Sequence, residues 1–160
     1  MAFSKIIAES MDLTDTYAFT GTVTGAGGGK VIASYHTQTD SGSASNGAFT
    51  LQSNLTTSVT PASSSSKFLL MVGVQGKINA SEGFGIKLQR DSTSILENPT
   101  YKNDCYYSGS GEVNLYSTKH YIDSPSTTSS IDYKVYVYTD GTVQIPNTAI
   151  NYLTILELSS

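Results

Sequence analysis

Tryptophan is absent, cysteine occurs once, and charged side chains make up only 14% of the 160 residues. Each shortage closes off a class of protein. A lone Cys105 cannot support a disulfide framework, so the chain is expected to be made in a reducing cytoplasm. Nine basic and thirteen acidic side chains leave a net charge of −4, with no local basic cluster. Affinity for nucleic acid comes mainly from Lys and Arg on phosphates, so no nucleic-acid partner is expected. No apolar run approaches the ~20 residues that span a bilayer, and no membrane insertion is expected. Residues Met1 to Met11 carry Lys5 and Glu9 and lack an unbroken apolar stretch, so they do not read as a signal peptide.

Ser, Thr, Asn and Gly take the place of the missing charge, and eleven tyrosines stand where tryptophan is absent. This suits short strands joined by many turns, because Tyr packs well on a pleated surface. A chain of this length has room for one self-sufficient core and a short appendage.

The first 30 residues differ from the rest. Phe3, Ile6, Ile7 and Met11 recur at roughly helical spacing, so a short helix is expected over Ser4–Ser10. It would be marginal alone and would need a docking surface on another chain. Leu13 follows, then the extended Tyr17-Ala18-Phe19-Thr20-Gly21-Thr22-Val23, then the glycine-rich hinge over 25–29. Two readings are open: an arm over 1–30 that grips something through Phe3, Ile6, Ile7, Met11, Leu13, Tyr17 and Phe19, or a disordered terminus.

From residue 31 the hydrophobic period is two almost throughout. Val31, Ala33 and Tyr35 alternate with Ser34, His36 and Gln38. Leu51, Ser53, Leu55, Thr57 and Val59 are expected on one face, opposite Gln52, Asn54, Thr56 and Ser58. Residues Phe68–Val74 are continuously apolar, as expected of a strand covered on both faces. Phe84, Ile86 and Leu88 alternate with polar neighbours, as do Val113–Tyr116, Tyr133–Tyr138, Thr142–Ile145 and Asn151–Leu158. Turn residues separate the runs, and Asp140-Gly141 reads as a tight hairpin into Thr142–Ile145. Eight or so short strands with regular turns predict an all-β domain over 31–160, a jelly-roll-like antiparallel β-sandwich with an extended N-terminal arm.

Patterns that carry chemistry fail on named residues. The stretch from Gly25 to Lys30 is not a phosphate loop, because Thr24 and Val31 occupy its two diagnostic ends. Lys30 also stands where a dinucleotide fingerprint needs its third glycine. His36 and His120 have no second ligand at metal spacing and read as strand-surface histidines. Cys105 has no local base to activate it. Glu82, Asp91, Glu97, Asp104 and Glu112 fall near turns. A paired-carboxylate glycosidase needs two such groups about 5–10 Å apart in a cleft, for which a chain this short offers little material. No catalytic, cofactor-binding or metal-binding residue is assigned, and an enzyme is not expected.

The tyrosines are more informative. Tyr101, Tyr106 and Tyr107 lie in a segment rich in Gly, Ser and Asn running from Asn98 to Gly111. Tyr supplies rigid contact area and a hydroxyl at low entropic cost. A contact surface for glycan or protein is one reading. Packing against the neighbouring sheet or a sister subunit is the other.

Residues 57–72, with Pro61 and the serine run before Lys67, resemble a strand–turn–strand of tail-fibre and other virion proteins of marine phages, cyanophages included. Residues 86–93 resemble the next element of that domain, residues 123–135 its most recognisable stretch, and residues 153–158 its closing strand. The resemblance covers about residues 31–160, and Leu13, Tyr17 and Phe19 lie in a stretch similar to the connector that precedes the domain in longer fibres. It implies a homotrimeric jelly-roll virion domain without catalytic residues, made in the host cytoplasm and working in the virion. Tyr- and Thr-rich outer faces can pack around a threefold axis, which is expected to bury strand faces such as those of Tyr136 and Tyr138. Two roles follow as expectations. One is a tail-fibre or appendage module that touches host-surface glycan. The other is a capsid decoration protein, a cement or head fibre, that clamps capsid subunits through its N-terminal arm. In both, the arm would hold another virion protein of the capsid, tail or fibre base.

Overall fold

A computed structural model describes residues 30–42, 44, 46–79, 81–98, 102–141 and 150–159. The expected helix over Ser4–Ser10, the arm residues Phe3 to Phe19, Tyr101 and the expected strand Thr142–Ile145 lie outside the described residues.

The described chain forms nine strands: β1 (Val31–Thr39), β2 (Phe49–Val59), β3 (Lys67–Ile78), β4 (Glu82–Arg90), β5 (Thr93–Leu96), β6 (Cys105–Tyr107), β7 (Val113–Asp123), β8 (Ile131–Thr139) and β9 (Asn151–Leu158). They make two antiparallel sheets, β1-β9-β3-β7 and β2-β8-β4-β5, with β6 also paired to β4. Strands β5 and β6 pair with different halves of β4 and act as one interrupted strand. Counted so, the chain passes from one sheet to the other at every connection except the β4–β5 hairpin, which is the jelly-roll arrangement. That hairpin turns through Asp91 and Ser92, with Asp91 at φ 53°.

Period-two patterning decides what is inside. Phe68, Leu70, Val72, Val74 and Ile78 of β3 face Phe84, Ile86 and Leu88 of β4 and Tyr133, Val135 and Val137 of β8, all buried. The rings of Phe68 and Tyr133, one from each sheet, meet at 5.8 Å between centroids. Two strands depart from simple alternation. Between Leu51 and Thr56, five residue steps of β2 lie opposite two steps of β8, Tyr136 to Lys134. The bulge reverses the faces. Leu51 is 38% exposed while Leu55 and Gln52 are buried, so the expected single face over Leu51–Val59 is corrected. A shift between Val31 and Ala33 likewise turns Val31 outward, 54% exposed.

Side chains also tie the sheets together at polar points. Asp123 ends β7, and both its carboxylate oxygens lie 2.8 Å from Arg90 Nη1 of β4. Its Oδ2 also accepts the hydroxyl of Tyr133 at 2.7 Å. Asp123 is 5% exposed. A carboxylate buried this deeply is tolerable because charge and hydrogen bonds both compensate its lost hydration. Glu157, buried at the end of β9, accepts the Ala62 amide at 2.7 Å and fixes the turn before β3.

Candidate functional site

Asp104 organises the tyrosine segment. Beyond Leu96 the chain leaves the edge of β4, and β6 rejoins it only at Phe84. The Ile86 amide falls in the gap, and Asp104 Oδ2 accepts it at 2.7 Å. The same oxygen accepts the Ser117 hydroxyl at 3.1 Å, and Oδ1 pairs with Lys119 at 2.7 Å. One carboxylate thus completes an edge strand and crosses to β7 of the other sheet. The main chain of residues 102–104 lies directly on Gly85, where a Cβ would collide with the Lys102 carbonyl. Glycine at 85 is therefore a requirement of the crossing rather than of a turn.

This crossing separates Tyr106 from Tyr107. Tyr106 pairs with Gly83, points outward and is 59% exposed. Tyr107 points toward the core, and its hydroxyl donates to the Ser110 carbonyl at 3.0 Å. Of the expected contact residues, Tyr106 presents itself to solvent and Tyr107 builds the loop. Cys105 also faces inward, where burial first and Asp104 second push its thiol above the ordinary range. Such a thiol is held in its unreactive form. Neither His36 nor His120 faces it, since both lie on the outward face of the other sheet, β1-β9-β3-β7.

The sandwich has two distinct ends. Lys30 lies at one of them, and its carbonyl accepts the Ser159 amide at 2.9 Å, so the first and last of the described residues meet there. The turns 60–66, 91–92 and 124–130 share that end. Among the described residues, the opposite end carries 40–42, 44, 46–48, Asn79, Ser81, 108–112, Asp140, Gly141 and Ile150, with β6 beside them. Strands of nine to twelve residues separate the two ends by about 30–40 Å. At the far end, Ser41, Gly42 and Leu51 to Asn54 line a shallow depression of ≈ 220 Å³, edged by hydroxyl and amide groups. Among the described residues no group of three or more His, Cys, Asp and Glu is placed to hold a metal ion.

The two outer faces differ in chemistry. On β2-β8-β4, Lys87 sits 4.3 Å over the Phe49 ring and 4.5 Å over Tyr136, and Lys102 sits 5.3 Å over Tyr138. Cations from the same chain already cover those rings, and both tyrosines are half-buried. On β1-β9-β3-β7 the strand register sets side chains in rows. One row runs Ser34, Leu156, Leu69 and Ile122, and the next runs His36, Thr154, Met71 and His120. A third contains Gln38, Tyr152, Gly73 and Thr118. Tyr152 and Tyr116 fold over Gly73, where a Cβ would come within 2.6 Å of one ring and 2.8 Å of the other's hydroxyl. The Tyr116 hydroxyl donates to the Ile150 carbonyl at 2.9 Å. Burial first and the neighbouring Tyr152 second raise the Tyr116 phenol above its usual range.

Sequence reasoning missed this face as a surface. The signal was present in the unbroken run Phe68–Val74, read as covered on both sides. Its inward half is buried, while Leu69 and Met71 point outward and are only partly covered by their row neighbours. The closing strand carries the same signature, with Leu156 and Leu158 outward beside inward Leu153 and Ile155.

No family model matches this chain, and no curated protein matches it.

Proposed function

We propose that this chain is a non-enzymatic structural protein of a phage particle, a homotrimeric appendage module of tail-fibre type, made in the host cytoplasm and working in the virion. Its N-terminal segment holds another virion protein, and its far end meets the host surface. The observation that carries this reading is the polarity of the sandwich. Residues 1–29 join it at Lys30, whereas the exposed Tyr106, the turn 108–112 and the hydroxyl-lined depression at Ser41 and Asn54 lie toward the other end. A rigid jelly roll between them separates holding from touching by about 30–40 Å. A depression edged by hydroxyls and amides suits a neutral sugar better than an ionic ligand. The resemblance of residues 57–72, 86–93 and 123–135 to fibre domains of marine phages supports the same role.

Copy number tests it. Quantitative mass spectrometry of purified particles is expected to find this chain at a few dozen copies or fewer relative to the major capsid protein. A stoichiometry of hundreds would replace the appendage role with capsid decoration, and absence from the particle would reject both.

A further inference from the structure

The sequence has no local cluster of basic residues, but the fold assembles one. On the outward face of β2-β8-β4, strand register places Leu51, Tyr136 and Lys87 in one row and Phe49, Tyr138 and Gly85 in the next. The rows are two residues apart along the strands, about 7 Å. Lys87 sits between Phe49 and Tyr136, 4.3 and 4.5 Å from their ring centroids. Gly85 leaves the second row without a side chain on β4, and the main chain at Lys102 lies in that space. Lys102 thereby sets its ammonium 5.3 Å from the centroid of Tyr138, a ring in contact with Phe49 at 5.3 Å.

Neither ammonium has an acidic partner. Lys77, Arg90, Lys119 and Lys134 each form an ion pair, whereas Lys87 and Lys102 form none among the described residues. The outward side chains of β2, β8 and β4 include one carboxylate, Asp132. It stands at the opposite end of β8, where Lys134 and the Ser58 hydroxyl engage it. The far half of this face is therefore positive, on a chain whose net charge is −4.

We propose that this face binds a carboxylated polysaccharide, with Lys87 and Lys102 taking the carboxylates of its uronic-acid units. The inference rests on the far-end glycan reading above and adds the charge of the ligand. Leu51 joins the two surfaces, since it lines the depression and shares a row with Lys87. An uncharged unit occupies the depression, and an acidic neighbour along the polymer reaches the lysines.

Three observations select this ligand. The first is charge complementarity at two prepared points. An aromatic ring already holds each ammonium, so less side-chain freedom is lost when an anion arrives. The second is that the rings are occupied by the chain's own cations. Single-stranded nucleic acid needs free ring faces on which bases stack, and these are taken. The third is the type of cation. The one arginine, Arg90, is turned inward on Asp123, so the face lacks the bidentate fork that marks phosphate recognition. Lysine offers a point charge, which suits a single carboxylate. Each contact is weak alone, and a repeating polymer that meets several copies multiplies it. A face that holds a ligand stays open, so the expected burial of Tyr136 and Tyr138 between subunits gives way to this reading.

The test is a nuclear magnetic resonance titration of the isotope-labelled full chain with two uronate oligomers, oligogalacturonate and oligomannuronate, and with their uncharged methyl esters. At least one acid oligomer is expected to shift the signals of Leu51, Lys87 and Lys102 and to bind more tightly than its ester. The preference is expected to vanish between about 0.01 M and about 1 M salt, as the screening length falls from ~30 to ~3 Å. Lys87→Gln and Lys102→Gln are each expected to weaken binding about two- to fivefold, the range of an exposed ion pair. Lys87→Arg is expected to retain it, and Lys67→Gln, which removes the same charge from the other sheet, to leave it unchanged. Acid and ester bound equally, or acid binding indifferent to both Gln variants, overturns the ionic site and leaves the far-end glycan reading standing. No shift on this face with either acid overturns the proposal, and the appendage reading is then judged by copy number alone. Tighter binding of a single-stranded oligonucleotide at the same residues overturns the ligand class.

Discussion

Tyr133 donates its hydroxyl to Asp123 Oδ2 at 2.7 Å across the interior of the sandwich. Tyr133 belongs to β8 of one sheet and Asp123 to β7 of the other, and Arg90 closes the group with a two-oxygen contact from β4. The sheets are thus joined by a polar clasp at the end where the N-terminal segment enters, as well as by apolar packing.

Tyr133→Phe keeps the ring against Phe68 but removes one donor from a buried carboxylate. The expected loss is about 1–3 kcal/mol of unfolding free energy, read from urea denaturation. Arg90→Met strips the compensating charge and is expected to cost more, about 3–5 kcal/mol. Equal small losses for the two variants would show that the clasp is solvated.

The same clasp sets an alkaline limit. Burial first, then the hydrogen bond and charge of Asp123, push the Tyr133 phenol far above its usual range. A group with a raised native pKa contributes stability that is complete below its unfolded value, about 10 for tyrosine, and that falls as pH rises beyond it. Unfolding free energy is expected to be level with respect to this residue from pH 7 to 9 and to drop above 10. Tyr133→Phe should start lower and show a shallower drop. Titration of denaturation midpoints over that range checks the slope.

Leu51 and Leu55 look equivalent in sequence, four residues apart on one alternating run. The β2 bulge makes them opposites, with Leu55 1% and Leu51 38% exposed. Leu55→Ala is expected to cost about 2–5 kcal/mol, and Leu51→Ala less than about 1 kcal/mol. Similar losses in thermal or urea unfolding would contradict the bulge.

Gly85→Ala tests the crossing. The new methyl meets the Lys102 carbonyl, which is main chain and cannot rotate away. Residues 102–104 must lift, weakening the amide contacts of Asp104 with Phe84 and of Ile86 with Asp104. A loss of about 1–3 kcal/mol is expected, with faster hydrogen exchange at Ile86. Gly73→Ala meets only movable tyrosine side chains and should cost less.

Much of the fold was legible because period-two patterning reports directly on which residues face the core. Tyr133–Tyr138 and Phe84–Leu88 read as strands and are β8 and β4, with the expected sides inward. The β2 bulge was not legible, since a polar Gln52 carries no mark that it will be buried beside Leu55. The division of labour between Tyr106 and Tyr107 was hidden for a similar reason. It depends on Asp104 bridging two sheets, a contact between residues far apart in sequence. The outer apolar face was visible as a run of apolar residues, but which half of the run faced outward depended on the partner strands.

The central claim is that the sandwich works by its two ends, held at Lys30 and presenting the far turns outward. Imaging of purified particles carrying a compact tag within the exposed turn 108–112, compared with a tag inserted just before Lys30, tests it most directly. The account predicts both labels on the same appendage, with the turn label farther from the particle body by about the 30–40 Å length of the strands. A turn label that lies nearer the particle than the Lys30 label would contradict it.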